Sequence, residues 1–240
     1  MNKTRLDVLM VERGFAPTRT QAQALIMAGQ VSAEGRRLDK PGMAVDPKID
    51  LHIKDQPRYV SRAGDKLASV AEPLGLDFKG KIVLDVGSST GGFTDFALQQ
   101  GAAKAYCVDV GTAQLAYKLR QDPRVVVMEQ TDIRAAELPE AADIAVMDVS
   151  FISLTKVLEP TAALLKPAAP IVAMAKPQFE AGKLVADKYH GVIPVGESRD
   201  AVLHDLRDWI AERFEILAEA DSQVAGAEGN VERFFLLRQR

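Results

Sequence analysis

The chain of 240 residues holds one cysteine and three histidines, and both scarcities limit its chemistry. A single Cys107 excludes an internal disulfide. His52, His190 and His204 are scattered too widely to make a metal-ligand cluster with it, so neither metal nor redox chemistry is expected. Also missing is any run of about 18 apolar residues, the length a membrane-crossing helix needs. The opening MNKTRLDVLMVERG carries charges through what would have to be a signal peptide's apolar region, and a soluble cytoplasmic protein is expected. Excess charge of one sign is small as well: the net is −3. Residues 1–58 hold 10 Lys and Arg against 7 Asp and Glu, a net +3, while the rest hold 20 against 26, a net −6. The N-terminal quarter is the basic part, an excess that suits a nucleic-acid surface or an ordinary solvated one.

What is present begins with two short helices. Leu6, Leu9 and Met10 share a face at helical spacing and Gly14 closes that helix; Thr18 and Gln21 form a T-x-x-Q capping box opening a second helix that stops at Gly29. VSAEGRRLDKPG and IDLHI follow, with alternating apolar residues and turn signals at Gly35, Pro41 and Gly42, and predict small strands. The unit is expected to end near Asp55-Gln56-Pro57, dividing the chain into residues 1–58 and 59–240. R-L-D-V-L with T-R-T-Q-A-Q-A-L-I-M-A-G-Q-V at 18–31 resembles the small RNA-binding domain first seen in a ribosomal small-subunit protein and shared with pseudouridine synthases. The resemblance implies that Arg5, Arg19, Arg36 and Arg37 meet structured RNA. The plainer reading is a small cap on the larger domain.

From Lys81 the pattern changes. KIVLDV, AKAYCVDV, RVVVMEQ, ADIAVMDV and PIVAMAK are short β-branched runs separated by helix-length segments, the habit of parallel strands buried on both faces. An α/β, Rossmann-like doubly wound sheet is expected. EILAEADSQV and VERFFLLRQ are separated only by AGAEGN and predict an antiparallel pair at the end. Six parallel strands with a seventh reversed beside the fifth is the arrangement of adenosylmethionine-dependent methyltransferases.

LDVGSSTGGFTDFALQQ reads as strand, glycine loop, helix. Gly87, Gly91 and Gly92 let backbone pass close to a ligand at the helix N-terminus, though an ordinary tight connection uses glycines too. The dinucleotide fingerprint G-x-G-x-x-G is absent, and Asp85 at the strand end would repel a pyrophosphate. Asp85 suits the sulfonium and ammonium of adenosylmethionine, with Gly87, Ser88, Ser89, Thr90, Gly91 and Gly92 around it. Asp109, 24 residues on, ends the second strand where a carboxylate can accept from both ribose hydroxyls; Asp132, after the third, can accept from the adenine amine. Each aspartate alone could cap a turn, but three at three successive strand ends are harder to assign that way.

Asp148 ends the fourth strand and Lys176 the fifth, while Glu232 opens the reversed strand at the same edge and Lys66 lies on the helix before the first. These four make a K-D-K-E set. YVSRAGDKL, DVGSSTGGFT, DVSFISL, KPQFEAGK and GNVE resemble the TlyA family, bacterial ribosomal RNA 2′-O-methyltransferases historically called hemolysin A, with an FtsJ-like catalytic domain. Two positions depart from the family habit: T-D-I-R at 131–134 where T-N-x-R is common, and Arg233 where an aromatic often follows the glutamate. The resemblance implies methylation of a ribose hydroxyl, of cytidine, in ribosomal RNA or a ribosomal subunit, with Lys176 as base; the carboxylates of Asp148 and Glu232 are expected to orient the two lysines and to offset positive charge near the sulfonium. Burial and Lys66 would lower the pKa of Lys176 while Asp148 and Glu232 would raise it; the sequence leaves that balance open. The Asn/Asp-Pro-Pro-aromatic turn of base-modifying enzymes is absent. The alternatives are two buried ion pairs without catalytic purpose, in an RNA-binding protein of the hemolysin A type with little activity.

Overall fold

Two units organise the chain, Met1–Pro57 and Arg58–Arg240. The computed structural model describes residues 3–54, 58–182, 189, 192–226 and 229–240. The expected boundary at Asp55-Gln56-Pro57, together with Lys183 of KPQFEAGK, lies outside the described residues.

In the first unit β1 (Thr4–Arg5) leads into α1 (Leu6–Glu12), followed by α2 (Arg19–Met27), β2 (Val31–Ala33), β3 (Arg36–Arg37), β4 (Ala44–Val45) and β5 (Leu51–Ile53). Leu6, Leu9 and Met10 are buried against Ala22 and Ile26 of α2 and Val31 of β2, each large side chain contributing roughly 1.5–3 kcal/mol. Thr18 Oγ1 accepts from Gln21 N at 3.3 Å. At the far end Gly29 N donates to Ile26 O and Gln30 N to Leu25 O, the paired bonds of a Schellman stop. Strands β2 and β3 turn through Glu34 and Gly35, both at positive φ (49° and 73°), a geometry that matches strand twist and presents Arg36 and Arg37 to solvent. The unit forms a sheet ordered β3-β2-β5 and a small β1-β4 pair.

The second unit opens with α3 (Arg62–Ala71) and then alternates: β6 (Ile82–Val86), α4 (Gly92–Gln99), β7 (Lys104–Val108), α5 (Tyr117–Arg120), β8 (Val125–Met128), β9 (Ile144–Met147), α6 (Leu158–Ala162), β10 (Pro170–Ala175), α7 (Pro177–Glu180), α8 (Glu197–Arg213), β11 (Phe214–Asp221) and β12 (Arg233–Gln239). The sheet order is β11-β12-β10-β9-β6-β7-β8, with β12 alone running opposite to the other strands. Val83 and Leu84, adjacent in β6, point to opposite faces and are both fully buried, as the uninterrupted apolar runs require. After β6 the chain builds outward through β7 and β8, then returns to lay β9 on the other side. That reversal opens a crevice at the carboxyl ends of β6, β7 and β9.

Candidate active site

A cavity of about 450 Å³ occupies this crevice, lined by Gly87, Ser89, Asp109, Asp132, Asp148 and Phe151 among others. Asp85 lies 1% exposed within β6. Its Oδ2 accepts from Thr94 N at 3.0 Å and Thr94 Oγ1 at 2.6 Å, in the first turn of α4, and its Oδ1 is buried without a partner. Burial pushes this carboxyl up to about 7; Thr94 pulls it down, while Asp148 and Asp109 push it further up. Asp148 and Asp109 thus disfavour the charged form of Asp85, whose Oδ1 is left without a partner. A cationic ligand would relieve both conditions.

The glycine loop is shaped by its neighbours. Gly87, at φ 77°, lies against the segment that follows β9 so closely that a Cβ would stand 2.8 Å from the Asp148 carbonyl oxygen. Gly91, at φ 90°, is the N-cap of α4. Of the loop residues expected around the cofactor, Gly87 and Ser89 line the cavity; Ser88, Thr90, Gly91 and Gly92 do not line it. Asp109 spans the cavity edge, with Oδ2 accepting from Ser89 N at 2.8 Å and Oδ1 from Gly111 N at 2.7 Å. Asp132 caps the turn Ile133–Ala135, and Arg134 closes on both its oxygens, holding its carboxyl down at about 2. Glu129, which carries no motif in the sequence, accepts from the N–H groups of Ala113, Gln114 and Leu115 and so builds the loop after Asp109.

The four K-D-K-E residues form two close pairs. Lys66, on α3 and 8% exposed, donates from Nζ to Glu232 Oε1 at 2.5 Å. Lys176 Nζ lies 2.6 Å from Asp148 Oδ1 and donates to Ser150 Oγ at 2.7 Å. The pairs also feel each other: burial raises the Asp148 pKa, Lys176 and then Lys66 draw it down, and Glu232 raises it. Glu232 Oε2 is buried without a partner. Sequence reasoning missed Ser150, although it stands inside DVSFISL. It also missed Phe151, which takes a positive φ of 63°, is 91% exposed and packs its ring 5.0 Å from that of Phe179.

In the first unit a buried Asp7 gathers two of the four expected arginines. Arg5 grips it through Nε and Nη2 at 3.0 and 2.9 Å, Arg19 through Nε at 2.9 Å, and Gln23 donates at 2.8 Å. The Arg5 hydrogen bond, against the opposing effect of burial, holds the Asp7 carboxyl well below the carboxylate range. About half of each arginine remains exposed. The Arg37 guanidinium lies over the Cα of Gly29.

A sheet of this order, with acidic residues around its switch point and the reversed strand beside the fifth, is that of a methyltransferase-class α/β protein. The FtsJ-like methyltransferase profile matches residues 59–240, and the S4 domain profile matches residues 4–48. The chain is 46% identical to a candidate rRNA methyltransferase, YqxC of Bacillus subtilis (strain 168), over 98% of its length and 85% of that protein. It is 40% identical to the 16S/23S rRNA (cytidine-2′-O)-methyltransferase TlyA of Mycobacterium tuberculosis, over 98% and 90% of the two chains. A solved structure of a candidate hemolysin from Streptococcus thermophilus superposes with a TM-score of 0.72 at 40% identity, covering 100% of this chain and 89% of that one. The chain belongs to the TlyA (hemolysin A) family of FtsJ-like methyltransferases, with an S4 domain at its N-terminus. Among the described residues, no helix is long and apolar enough to cross a membrane, and no group of three or more His, Cys, Asp or Glu could hold a metal.

Proposed function

We propose that the chain is an adenosylmethionine-dependent RNA methyltransferase acting on a ribose 2′-hydroxyl of ribosomal RNA, with cytidine as the target nucleoside. The observation that carries this reading is the pairing of Lys176 with Asp148, which lines the cavity together with Asp109, and of Lys66 with Glu232. Kinship with TlyA supports the choice of hydroxyl and nucleoside. Asp85 would face the cationic part of the cofactor and Asp109 its ribose hydroxyls, each through lone pairs left over from their backbone bonds. Asp132 would serve the adenine amine only by sharing oxygens already gripped by Arg134. When bound, adenosylmethionine supplies a methyl group activated by a sulfonium.

A ribose hydroxyl is almost un-ionised at neutral pH, and it must lose its proton as it attacks. Lys176 would take that proton on Nζ in its neutral form, fixed in place by Asp148 and Ser150; Lys66 and Glu232 would hold the neighbouring charges in balance. Phe151 offers an exposed ring face beside the cavity, the kind of surface on which an unstacked base settles. Arg5, Arg19, Arg36 and Arg37 would supply phosphate contacts from the S4 domain. Ribosomal RNA is met in the cytoplasm. Lys176→Ala is expected to lower single-turnover methyl transfer to unmethylated ribosomal subunits by orders of magnitude with cofactor affinity within about threefold of wild type. Near-normal transfer would remove Lys176 as base, and RNA binding without any transfer by the wild type would favour a binding protein instead.

A further inference from the structure

The backbone of Glu232 is held from both sides. Ser222 N donates to the Glu232 carbonyl at 2.9 Å, and Arg199 Nε donates to the carbonyl of Val231, the residue before it, at 3.0 Å. Arg199 comes from the first turn of α8 and is 2% exposed. Its Nη2 also reaches Asp221 Oδ1 at 2.5 Å. Arg233, the residue that departs from the family habit, grips the same carboxylate through Nε at 2.8 Å and Nη2 at 3.1 Å. Behind the Glu232 side chain, Gly226 packs so closely that a Cβ would stand 2.8 Å from Oε1.

A guanidinium this deeply buried is an expensive way to join a helix to a strand, since apolar packing of similar volume often stabilises as well or better. What it adds is geometry. The planar fork serves a carbonyl and a carboxylate at once, in fixed directions, and the carbonyl it holds is one peptide from a carboxylate that must meet Lys66 at 2.5 Å. We propose that Arg199, clamped by Asp221, is a positioning residue for methyl transfer: it sets Glu232 against Lys66. The inference rests on the reading of Lys66, Asp148, Lys176 and Glu232 as the reacting group.

The test uses full-length protein, unmethylated ribosomal subunits and adenosylmethionine. Arg199→Lys keeps the charge but gathers its donors on one nitrogen, so it cannot reproduce the separate, fixed directions in which Nε and Nη2 meet Val231 and Asp221. Single-turnover transfer at saturating RNA is expected to fall at least tenfold, with KM for RNA and cofactor affinity within twofold of wild type. Arg199→Lys combined with Glu232→Gln is expected to be no slower than Glu232→Gln alone, because the clamp acts only through that carboxylate. Wild-type transfer by Arg199→Lys, or losses that multiply in the double variant, would overturn the inference. Should Arg199→Lys fail to fold, Asp221→Asn loosens the fork while leaving the Val231 bond; a smaller loss with the same non-additivity is expected, and a folded Asp221→Asn with wild-type transfer overturns the proposal. Glu232→Gln measured alone separates the two levels: unchanged transfer there overturns the catalytic reading itself, and this inference with it.

Discussion

Asp85 carries a pH dependence that distinguishes a cofactor carboxylate from a structural one. An aspartate in an unfolded chain ionises near 4, whereas burial holds Asp85 at about 7. Between those values the folded protein keeps a proton that the unfolded chain has released. Its ionisation therefore costs stability as pH rises through that window, on the order of 4 kcal/mol in all. Asp85→Asn retains an acceptor for Thr94 and removes the charge, so the free protein is expected to melt several degrees higher at about pH 8 and nearly unchanged at about pH 4. A cationic ligand reverses the preference. Adenosylmethionine affinity should rise with pH toward about 7 and level off above it, and binding near pH 6 should release a proton. Titration calorimetry in two buffers of different ionisation heat reads that proton; its absence at pH 6 would contradict a charge contact. Asp85, Asp109 and Asp148 were legible because each follows or ends an apolar run. Their partners were not: whether Arg134 closes on Asp132, or Ser150 accepts from Lys176, depends on rotamers that no spacing encodes.

At the scale of elements, the βα turn after β6 is the part with least freedom. Gly87 combines a left-handed backbone with a carbonyl 2.8 Å from where its Cβ would be. Gly87→Ala is expected to destabilise by about 1–3 kcal/mol, and to weaken cofactor binding at least tenfold by moving the loop off Asp148. Denaturant unfolding and calorimetry check the two effects; binding unchanged in a destabilised variant would make the glycine structural only. The sequence showed glycines spaced G-x-x-x-G-G and suggested a ligand cradle. Gly87 and Gly91 are required first by backbone geometry and packing, the plainer reading of the same signal. Strands buried on both faces were readable from unbroken apolar runs. Placement of β12 between β10 and β11 followed from the short AGAEGN connection only with the family arrangement in hand. Arg199 had no readable signal, because an arginine in ESRDAVLHDLRDWIAER looks like one more solvated charge on a helix.

For the whole molecule, the proposed function assigns affinity to the S4 domain and chemistry to the methyltransferase domain. The exposed Arg36 and Arg37 hairpin is the cleanest place to test it, since Arg5 and Arg19 also hold the fold through Asp7. Arg36→Ser with Arg37→Ser is expected to weaken RNA binding, and to reduce the slope of log K against log salt by about 0.7–0.9 for each phosphate that is no longer neutralised. Cofactor affinity should not change. An unaltered slope would make that basic excess an ordinary solvated face. The charge split was visible in the sequence, whereas nothing in R-L-D-V-L marks Asp7 as the buried anchor of two arginines. The most direct measurement is product identity: unmethylated ribosomal subunits incubated with the protein and adenosylmethionine carrying a labelled methyl, then digested to nucleosides and separated. The account predicts label in 2′-O-methylcytidine, abolished by Lys176→Ala; label in a base-methylated nucleoside, or none with either subunit, would contradict it.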